Sequence, residues 1–541
     1  MRRSGLFLAV ILLSLVTAWA DEGQHHEDLN VAQLGTVHFR ISCSPSAQEP
    51  FTRGVALLHS FWYEEAEKSF QDAGKDDPRC AIAHWGAAMS LWHQLWNQPD
   101  DATIQRGVAE VAKAKSLRTR SKRERDYIAA ANAFYGGSAK RRFETRAAAY
   151  SRAMERVYRR NDDDHEAAAF YALALIRSDR KQAAAILEKL FVAEPDHPGV
   201  AHYLIHTYDT PEMAAVGLPA ARRYAEIAPL APHAVHMPSH IFARLGLWQE
   251  DINSNLASIA ATQKGESMHM GDEGHQFHAM DFLVYAYSQS GREAEARHVI
   301  EQIKAMPPMK DMYGLGYDPG ISDVAAFEAS CALEMHDWAG AANLAPVKGA
   351  GLGDSSITHW ARAIGAARDH KPAEARAEVK EIEAIREKLL EQKKPQFMVE
   401  AVDRDRQEAA AWADYAEGKE EEAITRLRPL ADKDGRALEA SDQVPAREML
   451  ADMLLEMNRP EQALAEYQLD LKANPNRFDG LYGAARAAGM VGKPEEANRY
   501  YAQLRKQCDG STSNRPELRV ARAALQREAV RIDPDLDFFV I

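Results

Sequence analysis

Cysteine is scarce, with four residues in 541, so the chain is not a set of small domains stapled by disulfides. Positive charge is in deficit. The 66 Lys and Arg face 80 Asp and Glu, a formal net charge of −14, which argues against a nucleic-acid partner. Long apolar runs are missing too: the run from Leu6 to Val16 falls short of the roughly 20 residues a membrane helix needs, and no later run reaches that length. Catalytic signatures are likewise absent, with no HExxH, CxxC, GxSxG, phosphate-binding Gly-Lys-Ser/Thr loop or dinucleotide glycine fingerprint. What remains is 46% hydrophobic and 27% charged, with 31 Gly and 24 Pro, a composition that excludes disorder and collagen and supplies material for a large ordered fold.

The N-terminus reads as an address. Arg2 and Arg3 precede the Leu6–Val16 run, and Ala18, Trp19 and Ala20 supply a small-x-small cleavage site, the order of a secretory signal peptide. The expectation is a mature chain beginning near Asp21, in the periplasm or secreted, with a net charge of −16 once both arginines are gone. In an oxidising compartment cysteines can pair. Cys43 lies just before a first helical unit and Cys80 opens a second, so stacking would bring these two together as a disulfide.

Internal repetition dominates the rest. Gly54 to Pro78 (GVALLHSFWYEEAEKSFQDAGKDDP) reads as two helices with a break near Trp62 and a proline terminator, and the same grammar returns at Met449 to Pro475 and Gly480 to Leu504. The small residue of each second helix falls at Ala66, Ala183, Ala296, Ala341, Ala375, Ala423, Ala463 and Ala497. Ala341 to Ala375 and Ala463 to Ala497 are 34 apart, as are Asp164, Pro198 and Pro232. This resembles the tetratricopeptide repeat (TPR) family, in particular its exported bacterial-type members, and covers most of the chain after about Ala47 in roughly eleven units. The resemblance implies an all-α, right-handed superhelical solenoid of helix-turn-helix repeats. The expected organisation is a signal peptide (1–20), an N-terminal extension (21–46), two repeats (47–100), a basic helical insert (101–163) and central His-rich repeats (164–305). An inserted loop (306–320), further repeats (321–398 and 399–510) and a C-terminal cap (511–541) complete it. In the insert, Ser121 and Glu124 form a capping-box signature.

Histidines concentrate in three consecutive first helices. In GVAHYLIHTYD the apolar stripe is Ala201, Leu204, Ile205 and Tyr208, leaving His202 and His206 one turn apart on another face. HAVHMPSHIFARLGLW places His233, His236 and His240 at i, i+3, i+7, and HQFHAMDFLVYAYSQSG repeats that line with His278, Asp281 and Tyr285. Pro238 interrupts the middle line: either the helix kinks there, or it starts there and leaves His233 and His236 in a loop.

In TPR proteins the first helix of each unit lines the concave groove, and the register here resembles one that points these side chains into it. Two readings follow. In the first, the groove of an assembly scaffold holds a protein or peptide partner, with Tyr285, Trp85, Trp92 and His93 as contact residues, although core packing also accounts for aromatics at helical spacing. In the alternative, His202, His206, His233, His236, His240, His278 and Asp281 ligate copper or zinc, because neutral imidazole and carboxylate suit borderline cations. Met268, Met270, Met306, Met309 and Met312 in the inserted loops tilt the metal towards copper, since thioethers favour Cu(I). A metal-dependent hydrolase is the third reading, as no catalytic residue can be named apart from a metal. Oligomeric state cannot be read from the sequence.

Overall fold

The computed structural model describes residues 33–95, 98–137, 141–267, 273–307, 319–434 and 444–532. The leader at 1–20, Trp96, Met268, Met270, Met309 and Met312 lie outside the described residues.

The described residues form 26 helices and no strand. The chain is an all-α solenoid of stacked antiparallel helix hairpins, as the repeat spacing predicts. Proline marks the unit boundaries because its fixed φ suits the first helical turn, where its missing N–H costs nothing. Pro198 and Pro232 open first helices 34 residues apart, and Pro460 and Pro494 open second helices at the same spacing. All eight alanines of the second-helix series are buried, where a small side chain lets neighbouring helices approach. The turn within a hairpin repeatedly uses one left-handed residue, at Phe61, Gly246, Gly291, His336, His370, Gly418, Asn458 and Gly492.

Hairpins lock by setting an aromatic ring of one second helix over a glycine of the next first helix. A Cβ on Gly86 would lie 2.3 Å from the Phe70 ring, and one on Gly483 would lie 2.2 Å from Tyr467. Both rings are buried, so neither swings away freely. Gly86→Ala is expected to destabilise the protein by about 1–3 kcal/mol through overpacking, read as a lowered urea midpoint at unchanged slope.

The stretch 101–163 is helical as expected, in Asp101–Leu117, Lys122–Tyr135 and Phe143–Arg160. The Ser121 side chain accepts from Glu124 N at 3.3 Å, but the Glu124 carboxylate turns to Ser42, accepting from its N at 2.5 Å and its Oγ at 2.8 Å. Only half of the capping box therefore forms, because the N-terminal extension competes for the carboxylate.

Two closures make the array more than a ladder of nearest neighbours. At the N-terminal end, Pro45–His59 packs directly on Pro198–Tyr208 and on Ala214–Ile227: His59 Nδ1 lies 2.8 Å from Tyr203 OH, and Tyr224 OH donates to Ser60 Oγ at 3.2 Å. The extension fills the space thus enclosed. Phe39 meets Phe51, Trp85 and Tyr127 with ring centroids 5.1, 5.4 and 4.9 Å apart. This end of the concave surface is consequently a packed aromatic core. The extension is also covalently tied, since Cys43 and Cys80 form a disulfide spanning 37 residues. Its removal by Cys43→Ser with Cys80→Ser should cost about 2–4 kcal/mol, seen as a lower melting temperature. Cys331 and Cys508 are buried thiols whose burial pushes them up to about 11 and about 12.

At the other end, the loop before Phe478–Met490 returns to the middle of the chain. Trp248 Nε1 donates to Asn476 O at 2.9 Å, and Phe478 N donates to Gln289 Oε1 at 2.8 Å. Between them the buried Arg477 donates to Glu334 at 2.6 Å, to Glu448 at 2.8 and 2.9 Å and to Tyr285 OH at 2.9 Å. Arg477→Ala would leave two buried carboxylates without their cation, and a loss of about 3–5 kcal/mol is expected, measurable by chemical denaturation.

Candidate metal centre

Six of the seven proposed ligands come together in two adjoining sets of three. His202, His206 and His233 form one and His236, His240 and His278 the other, the ligating atoms of each lying within 4.8 Å of one another. The two sets share the broken helix at Pro238. Pro232–His236 and Pro238–Leu245 are joined by Met237, which keeps helical dihedrals (φ −51°, ψ −33°), so His233 and His236 are helical and the loop alternative does not apply. The expected single line of three histidines is instead divided: His233 turns to the first set, while His236 and His240 turn to the second.

Hydrogen bonds on the far side of the rings set the tautomers. His202 Nδ1 lies 2.6 Å from the backbone carbonyl of His59, an acceptor only, so Nδ1 carries the proton and Nε2 presents its lone pair. His240 Nδ1 donates to Asp209 Oδ2 at 3.0 Å, and Arg244 Nε donates to the other oxygen of that carboxylate at 2.8 Å. His236 Nδ1 donates to Asn255 Oδ1 at 2.7 Å. The Asn255 orientation is dictated by its NH2 group, which donates to the Asp251 backbone carbonyl at 3.0 Å. Imidazole ligands of metals are held from behind in this same way, by carboxylate, amide or carbonyl.

The consequence is a convergence of ring nitrogens. His236 Nε2 and His240 Nε2 face each other at 3.1 Å. His202 Nε2 lies 3.1 Å from His206 Nε2 and 3.1 Å from His233 Nε2, yet one in-plane lone pair cannot accept two linear hydrogen bonds. A cation at the focus of each set would accept the nitrogens that meet there. Bonds of about 2.0–2.1 Å in a tetrahedral arrangement place ligand nitrogens about 3.3–3.4 Å apart, near the 3.1 Å of the His202–His206, His202–His233 and His236–His240 pairs. Burial, reinforced by neighbouring imidazoles, holds His202, His233 and His236 well below the ordinary histidine range and brings His206 and His278 down to about 3. Neutral imidazole is the form that binds metal.

A third group serves as a contrast. His59 Nε2 lies 2.8 Å from Glu166 Oε2 and His197 Nε2 lies 3.3 Å from Glu166 Oε1, which also accepts from His38 N at 2.9 Å. Three N–H groups converge on one carboxylate, every member is satisfied, and no cation is needed. Burial pushes Glu166 up, but the two imidazoles prevail and hold it well below the usual carboxylate range.

The remaining assignments need correction. Asp281 belongs to neither set; Asp209 stands behind His240 as a support instead. Trp85 is fully buried among Phe39, Phe51, Phe70, Tyr127 and Phe170, and Trp92 is stacked on Phe134 at 3.7 Å. Both are core residues and cannot face a partner. His93 stacks on Tyr63 at 4.1 Å, with burial and His275 bringing it down to about 4. Tyr285 is taken by Arg477 and by an edge contact with Trp248 at 5.4 Å. The expected open groove is closed here because the first hairpin covers Pro198–Tyr208.

Sequence reasoning missed His275, whose ring lies 4.6 Å from that of His233, although its position one turn before His278 was a signal. It also missed Asp209, Asn255 and the His59 carbonyl, for which spacing offers none.

No family model matches the chain, and no curated protein does. Among solved structures, the TPR domain of P58(IPK) aligns over 89% of this chain and 99% of that one, at 11% identity and a TM-score of 0.20. The repeat assignment rests on the hairpins and their spacing.

Proposed function

We propose that this protein is a metal-binding helical-repeat protein in which each three-histidine set holds one ion. The observation that carries this reading is the convergence of three imidazole nitrogens in each set, with His236 Nε2 and His240 Nε2 3.1 Å apart while Asp209 and Asn255 hold the opposite nitrogens. Copper and zinc are the cations this donor type supports. Protein purified without a polyhistidine tag is expected to retain two ions per chain by elemental analysis. Metal-free protein whose melting temperature does not move on adding copper or zinc would overturn the reading, because a ligand bound only by the native state must raise stability.

Export to the periplasm or beyond is part of the proposal. It draws on the Arg2/Arg3 leader pattern and on the Cys43–Cys80 disulfide, a bond that persists in oxidising compartments. Among the described residues no helix is long and apolar enough to cross a membrane. The repeat scaffold remains able to hold a protein or peptide partner elsewhere along the solenoid. That reading ranks second, since the aromatic side chains named for it are packed or engaged.

A further inference from the structure

Away from the histidine sets, a cavity of about 500 Å³ opens between the loop after Ala81–Ser90, the helix Phe143–Arg160 and the end of His165–Leu175. That volume lies in the range of roughly 300–1,000 Å³ usual for small-molecule sites. Its apolar lining comes from Trp92, Leu95, Phe143, Ala147, Leu173 and Ala174. The two alanines sit on helices that pack against each other, and their small side chains leave the space between them unfilled. None of the six clustered histidines lines this cavity, so it stands whether or not they bind metal.

The polar groups of the lining are mainly donors. Arg152 and Arg177 stand exposed at the mouth. Arg177 donates to the Leu95 carbonyl and is thereby held at the edge, whereas the Arg152 guanidinium has neither an acceptor nor an ion-pair partner among the described residues. Glu144, the one carboxylate of the lining, is paired with Arg142 at 3.4 Å. Deeper in, Trp92 is 3% exposed and its buried indole N–H finds no acceptor among the described residues, an arrangement that costs free energy until an acceptor arrives. Phe134 and Tyr150 close Trp92 to a macromolecular partner. A small molecule inside the cavity can still meet it. Guanidinium and indole donate hydrogen bonds and accept none, so the complementary ligand brings acceptors and negative charge.

We propose that this cavity binds a small amphipathic carboxylate. The apolar body fills the space beside Ala147 and Ala174, and the carboxylate oxygens accept from the donors that the fold leaves unused, Arg152 and the Trp92 indole N–H. One molecule that fills the cavity touches both, because both line it. The protein as a whole is acidic, so the attraction is local to the mouth and is screened by salt.

The experiment titrates the full chain calorimetrically with 2-naphthoate, a rigid probe, and with decanoate, a flexible one, against the uncharged 2-naphthalenemethanol. Expected are one bound carboxylate per chain, an affinity about tenfold above that of the alcohol, and weaker binding as salt is raised. Ala174→Leu fills the space and should abolish binding without lowering the melting temperature. Arg152→Gln alters an exposed side chain, so folding is not at stake, and it should remove both the salt dependence and the preference over the alcohol. Trp92→Phe keeps a ring against Phe134 and should weaken the carboxylate through loss of the N–H. Binding of neither carboxylate would overturn the proposal. Equal affinity for naphthoate and the alcohol would overturn the carboxylate assignment, and binding that survives Ala174→Leu would overturn the location.

Discussion

Replacing His233 with alanine should remove one metal ion, and replacing His240 should remove the other, although both residues sit on one broken helix. The prediction follows from the division at Pro238: His233 Nε2 faces His202 at 3.1 Å, whereas His240 Nε2 faces His236 at 3.1 Å. Each variant retains two of its three ligands at the damaged focus, too few to hold the ion against solvent. Metal analysis should give about half the wild-type content in each variant and very little in the double variant. The stability effect should be large only in the presence of metal. At a free metal concentration a thousand times the dissociation constant, one bound ion contributes about 4 kcal/mol, which the variant forfeits. In metal-free protein the same substitutions forfeit no bound ion and should change melting far less. Equal loss of both ions from either variant would show that the sets do not bind separately.

Acid should destabilise the metal-free protein steeply, beginning just below neutrality. The direction follows from the depressed histidines. In the folded chain His93 titrates at about 4 and His206 and His278 at about 3, whereas an unfolded histidine takes its proton near pH 6.5. Between those limits the unfolded state binds protons that the folded state refuses, so stability is complete above about pH 6.5 and falls as the pH is lowered. Each such histidine contributes a slope of about 1.4 kcal/mol per pH unit, and the three together about 4. Set against a total stability of about 5–15 kcal/mol, that slope removes a large fraction of the stability within two pH units. His336 acts oppositely: despite burial, Asp479 and Glu517 raise it, and its contribution is lost as the pH rises through its folded value. It is one group against a larger set, since His59, His202, His233 and His236 are lowered as well. Urea midpoints measured from pH 8 to pH 5 check the prediction, and a flat profile would contradict it. Glu166, held well below the carboxylate range, adds its own loss only at still lower pH.

The two sets show where spacing is informative. His202 with His206, and His236 with His240, are i, i+4 neighbours, and a helix alone places such rings side by side. The partition of His233 from His236 was not readable, because it depends on the direction taken by the axis after Pro238 loses its hydrogen bond. Asp281 had the right spacing from His278 and still missed the focus. Position on a helix face constrains an angle but says nothing of what the neighbouring helix presents there.

The hairpin array followed from local information. Proline at first turns, alanine at close contacts and a 34-residue period act over one or two units, and stacked repeats interact with their neighbours. What only the tertiary structure decided are contacts between distant parts of the chain: His59 over His202 and Tyr203, Phe39 against Tyr127, and Arg477 with Glu334. These depend on how small unit-to-unit rotations accumulate until distant hairpins meet. No local pattern encodes that sum. It is this sum that turned an expected open groove into a closed, buried place where six imidazoles converge.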